Sequence, residues 1–168
     1  MLELISLLMI CQIFGAIIGA GMAVWAEFAY ARAMRDGNID TAERVHVDAI
    51  AHGLRFGMVI ILITSLGLVI EAFLTNAAAQ PARIGEYWVL MVISCLVIGT
   101  SWALSRKLIS FALGSAIVFA GWWFLLYLTL GSVNMHSFGA AIALYVVMAG
   151  VFYGILHYIR FLATRRAL

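Results

Sequence analysis

Five long apolar runs, separated by short polar stretches, organise this chain. They cover residues 4–31, 54–74, 87–104, 108–130 and 137–159, to within a few positions at each end. Each approaches or exceeds the roughly 20 residues needed to cross about 30 Å of hydrocarbon. Runs of that length in lipid must be helical, because only a helix satisfies every backbone group within one segment. A membrane barrel would instead alternate over about ten residues per strand. The expected fold is therefore all-α: an integral membrane bundle of five transmembrane helices, forming one domain over residues 1–168.

The polar stretches supply the punctuation. After the first run comes RDGNIDTAER, from Arg35 to Arg44. Asp36-Gly37 reads as a turn, and Asp40 or Thr41 as the N-cap of the next helix. That helix starts as an amphipathic lead-in over about 41–53, carrying His46, Asp48 and His52, before it becomes apolar. Residues 75–86 read as a loop containing Pro81 and Arg83. Arg106 and Lys107 read as a two-residue hinge between the third and fourth runs, and Gly131 to His136 as a tight turn.

Composition agrees with the pattern. Hydrophobic residues make up 65% of the chain and charged residues 11%. A soluble domain carries about 45–50% and about 25% respectively. The net charge of +2 gives no basic surface for nucleic acid. Where the charges lie is more informative. Of the ten Lys and Arg residues, nine fall after the first, third and fifth runs, and only Arg83 falls on the other side. The positive-inside rule then predicts the N-terminus outside and the C-terminus in the cytoplasm. Trp88 and the Trp122–Trp123–Tyr127 group would belong to an outer aromatic belt, and Trp25, Tyr30, Trp102 and Tyr158 to an inner one. The first run has no basic residue before it and is longer than a signal-peptide core, so it is expected to remain as a span. Cys11 and Cys95 fall inside runs, where they are expected to be small buried packing residues.

Small residues recur at steps of three or four. The first span carries Gln12, Gly15, Gly19, Ala23 and Glu27, and the second Gly53, Gly57, Thr64, Gly67 and Glu71. The fourth has Ser110, Gly114 and Gly121, and the fifth Gly139, Ala143, Gly150 and Gly154. Such spacing lets helices approach closely. It predicts a tight bundle, and association of copies through glycine faces.

The candidate chemistry is sparse. Glu27 lies near the inner end of the first span, at a depth where Arg55, Arg106 and Lys107 are the expected ion-pair partners. Glu71 is an intramembrane acid near the outer end of the second span, with Arg83 as the one outer cation in reach; intramembrane acids are costly and often functional. His52 and His157 are expected at similar depth near the inner face. Two imidazoles facing each other across a bundle are the ligand set of a b-type haem. His46 and His52 are six residues apart and share a helix face poorly, so they do not make a zinc site alone. No Gly-rich phosphate loop, HExxH, CxxC or nucleophile elbow occurs.

The stretch from Phe14 to Glu71 reads FGAIIGAGMAVWAEFAYARAMRDGNIDTAE, then an amphipathic lead into GMVIILITSLGLVIE. It resembles a group of small bacterial inner-membrane proteins of unassigned activity. They share a Gly-rich first span, an aromatic exit, a DG-x-I turn and a Ser-Leu-Gly or Ser-Gly step in the second span. The resemblance covers about a third of the chain. It implies a bacterial cytoplasmic membrane location and carries over no functional residue. The sequence therefore leads to a non-enzymatic membrane component: a small channel- or transporter-like protein, or a homo-oligomeric or hetero-oligomeric complex subunit embedded in the lipid bilayer. The alternatives are an electron-transfer haem protein using His52 and His157, and a lipid-modifying enzyme working from Glu27.

Overall fold

A computed structural model of the chain describes residues 2–36, 41–75, 85–131 and 137–165, without the side chains at 2, 31, 33–36, 41–44 and 163–165. The described residues form five helices and no strand: α1 (Leu2–Asp36), α2 (Thr41–Leu74), α3 (Gly85–Ser105), α4 (Phe111–Thr129) and α5 (Phe138–Arg165). All five are long and apolar enough to span a membrane. The turns expected around Gly37–Asp40, Pro81–Arg83 and Ser132–His136 lie outside the described residues, as does Arg166.

The amphipathic lead-in is not a separate element. It runs straight into the second span as one helix, because residues 41–53 contain no proline and only Gly53 as a weak point. Its polar positions His46, Asp48 and His52 are exposed, while Ile50 already packs inward. The hinge after α3 is longer than the expected two residues. Lys107 takes a left-handed conformation (φ 56°). Its amide donates to the Leu104 carbonyl at 3.0 Å, and the Leu108 amide donates to the Ala103 carbonyl at 2.9 Å. This paired pattern closes a helix C-terminus and normally has glycine at the left-handed position. Ser110 is extended (φ −64°, ψ 141°), and α4 begins at Phe111 rather than Leu108.

Consecutive helices run antiparallel. α1 packs chiefly along α2, and α4 sits centrally against α1, α3 and α5. Half of the α4 span is buried, against 17% of the α5 span, so α4 is the hub and α5 the outer helix.

The glycines of α1 and α2 explain how α4 reaches the middle. A Cβ at Gly57 would lie 2.7 Å from the Gly15 carbonyl oxygen, and one at Gly15 would lie 2.9 Å from the Gly57 carbonyl oxygen. Backbone therefore meets backbone at this crossing. The shallow notch that results takes the indole of Trp122, which a Cβ at Gly19 would overlap. Trp122 is 1% exposed, with Phe124, Leu125, Ile61 and Ile93 fully buried around it. This corrects its assignment to the outer aromatic belt: Trp122 is the central knob of the core. Trp25, Trp88, Trp102 and Tyr158 are exposed, as belt residues would be. The cysteines also need correcting. Cys11 is only partly buried and Cys95 is exposed, and both are free thiols.

Candidate functional site

The one close ion pair between distant helices among the described residues joins Glu27 and Arg160. Antiparallel packing brings the C-terminal parts of α1 and α5 and the start of α4 to the same end of the bundle. There Arg160 Nη2 donates to Glu27 Oε2 at 2.6 Å and to Ser115 Oγ at 2.7 Å. Both charged side chains are largely buried, Arg160 12% and Glu27 15% exposed. The guanidinium lies 5.0 Å from the Tyr30 ring centroid and 5.4 Å from that of Phe111, and the two rings stack on each other at 4.1 Å. One arginine thus ties three helices together through charge, hydrogen bonds and aromatic faces. Beside it opens a half-enclosed cleft of about 170 Å³, whose walls are Val24, Phe28, Phe119, Leu156 and Ile159.

This arrangement corrects the expected pairing. Arg55 is exposed on α2. Arg106 is exposed and lies over the Trp102 ring at 5.9 Å, and Lys107 is exposed in the turn. None of the three reaches Glu27. Arg160 directly follows the fifth apolar run and counts among the basic residues on that side, yet the sequence holds a signal. It lies between Ile159 and Phe161-Leu162, whereas Arg165 and Arg166 adjoin each other in a short polar end. An arginine flanked by apolar residues on a continuing helix belongs to the span. Chemically the cluster is a clasp. Its carboxylate is paired, and one guanidinium nitrogen serves both Glu27 and Ser115, so the cluster ties helices together and shows no nucleophile–base pair among the described residues.

The interior also holds polar groups, among them Gln12, Thr64 and Glu71 from the small-residue stripes of the first two spans. Gln12 Nε2 donates to Ser65 Oγ at 2.7 Å across the α1–α2 interface. Thr64 bonds back to the Ile60 and Ile61 carbonyls of its own helix. Ser94 Oγ is buried without a hydrogen-bond partner among the described residues. So is one carboxyl oxygen of Glu71, a residue only 8% exposed.

The histidines do not converge. His52 Nδ1 lies 2.8 Å from the Asp48 carbonyl oxygen of its own helix, and its side chain is 66% exposed. His157 is exposed on α5 and stacks on Tyr153 at 6.1 Å. α2 and α5 share no extensive contact. A haem clamped between these two residues does not fit this packing. His136 lies outside the described residues. Among those described, no group of three or more His, Cys, Asp or Glu is placed to hold a metal.

By helix number, length and composition the fold is that of a multi-pass helical membrane protein. Comparison with family models, with curated proteins and with solved structures finds no match that would place it more narrowly.

Proposed function

We propose that this protein is a non-enzymatic subunit of a membrane assembly, self-associating through the outer face of α5. The observation that carries this reading is a contrast between two GxxxG steps. Gly15-x-x-x-Gly19 on α1 is consumed within the chain, against Gly57 and Trp122. Gly150-x-x-x-Gly154 on α5 is exposed, and a Cβ at either glycine would meet nothing within 4 Å. Gly139 and Ala143 extend the same exposed stripe. Lipid tails are as apolar as leucine, so small residues on a span gain little from lipid but allow close contact with another helix. His157, three residues beyond Gly154, offers a polar group at the end of that face. The filled core around Trp122 favours this reading over a transport pathway through a single chain. The charge bias supports a bacterial cytoplasmic membrane orientation with the N-terminus outside.

Native mass measurement in mild detergent is expected to show dimers or larger assemblies. Gly150→Leu combined with Gly154→Leu is expected to convert them to monomers without loss of helix content. A wild-type protein that is monomeric in both detergent and lipid nanodiscs would sink the proposal.

A further inference from the structure

One exposed face of α2 changes character halfway along its span. At steps of three and four it presents Asp48, His52 and Arg55, then Val59, Ile63 and Leu66. Side chains at these steps lie on one side of a helix. The first three are polar and the rest apolar. The side chains of Asp48 and His52 are 73% and 66% exposed, and Arg55 is exposed as well.

The switch does not fall at the end of the span. Arg55 lies between two glycines whose contacts fix its depth. A Cβ at Gly53 would meet Met22 of α1, and one at Gly57 would meet Gly15 and Gly19 of α1 and Trp122 of α4. The apolar span of α1 ends only at Tyr30, so the Arg55 backbone lies at least about 12 Å inside that end at 1.5 Å per residue. That approaches half of a hydrocarbon layer about 30 Å thick. A guanidinium exposed at such depth is costly against acyl chains, and it is relieved by snorkelling and by phosphate and water drawn inward. Helical side chains lean toward the N-terminus of their helix, which for Arg55 is the direction of His52 and Asp48.

We propose that this face of α2 is a phospholipid site, in which Arg55 holds the phosphate of a lipid drawn below its neighbours. His52 and Asp48 line the way to it from the end of the span. The planar guanidinium matches phosphate oxygens in pairs. A headgroup with its water can follow the polar ladder inward from the bilayer surface, whereas a neighbouring helix would need matching polar groups at three depths. α2 shares no extensive contact with α5, so the site does not depend on self-association through the α5 glycines.

The test uses full-length protein in nanodiscs of phosphatidylethanolamine and phosphatidylglycerol, doped with a phospholipid that carries a nitroxide on its headgroup. Nuclear magnetic relaxation of the Arg55 and Phe56 side chains is expected to be several-fold faster than that of Ile17 and Trp123, which are exposed at similar depth on α1 and α4. Arg55→Leu is expected to abolish the excess at Phe56. Arg55→Lys is expected to keep it, because an ammonium also binds phosphate. The wild-type comparison decides the matter even if a variant misfolds. Equal relaxation at all four wild-type side chains overturns the proposal. So does cross-linking of residues 52–56 to another protein chain in place of the nitroxide effect, which would make the face a protein contact.

Discussion

Gly19→Leu is expected to prevent the native bundle from forming, and Trp122→Ala to destabilise it by about 3–5 kcal/mol. The two effects come from one contact. The indole of Trp122 rests on the Cα of Gly19, so any side chain there occupies the space of the ring. The ring cannot retreat, because Phe124 and Leu125 on its own helix are fully buried too. Overpacking of a close-packed interior commonly costs about 1–3 kcal/mol, and a leucine against an immobile indole exceeds that range. Trp122→Ala leaves the notch between α1, α2 and α4 empty. Gly21 provides the control on the same helix. It is exposed, with nothing within 4 Å of a Cβ, so Gly21→Ala is expected to be neutral or stabilising by up to about 1 kcal/mol. Combining Gly19→Ala with Trp122→Leu is expected to recover part of the loss, since residues in contact are not additive. Thermal unfolding in detergent measures all four. Equal effects of Gly19→Leu and Gly21→Ala would show that the notch does not decide stability.

The five helices were legible because length alone identifies a span, and each run met that length without help from its neighbours. The close approach of α1 and α2 was legible as well, in the spacing of Gly15, Gly19, Gly53 and Gly57. What could not be read was which way each helix faces. In a soluble helix the polar stripe marks the outside, but here lipid-facing and core-facing positions are equally apolar. Trp122 and Trp123 are adjacent and chemically alike, yet one is the core knob and the other is 39% exposed. Cys95 followed the same logic to the wrong face. The acid–base cluster failed for a related reason. Depth along the membrane normal placed Glu27 level with Arg55, Arg106 and Lys107, but the rotation of α5 decides which cation turns inward. The charges that matter, Glu27 and Arg160, were both visible as residues. Their partners are a property of the packing.

Arg160→Met and Glu27→Leu are each expected to destabilise the bundle by about 3–5 kcal/mol, while the double variant recovers most of that loss. Removing one partner of a largely buried ion pair strands the other charge in a poor solvent, and that stranded charge accounts for most of the cost. Removing both replaces the pair with apolar side chains of similar size, which is often close to neutral. Arg160→Lys separates charge from shape. Lysine keeps the positive charge but loses the planar guanidinium that lies over Tyr30 and Phe111, and the expected loss is about 1–2 kcal/mol. Ser115→Ala removes the second acceptor of the same nitrogen and is expected to cost about 1 kcal/mol. α5 has the least buried span of the five, and its polar ties to α1 and α4 are the clasp and the hydrogen bond from Tyr145 Oη to the Ile117 carbonyl at 3.0 Å. Local opening should therefore start at α5 in Arg160→Met. Hydrogen exchange in residues 138–162 is expected to accelerate well before exchange in α4. A double variant no more stable than the worse single one would show that the pair acts through geometry rather than charge. Uniform acceleration across all five helices would show that α5 does not open alone.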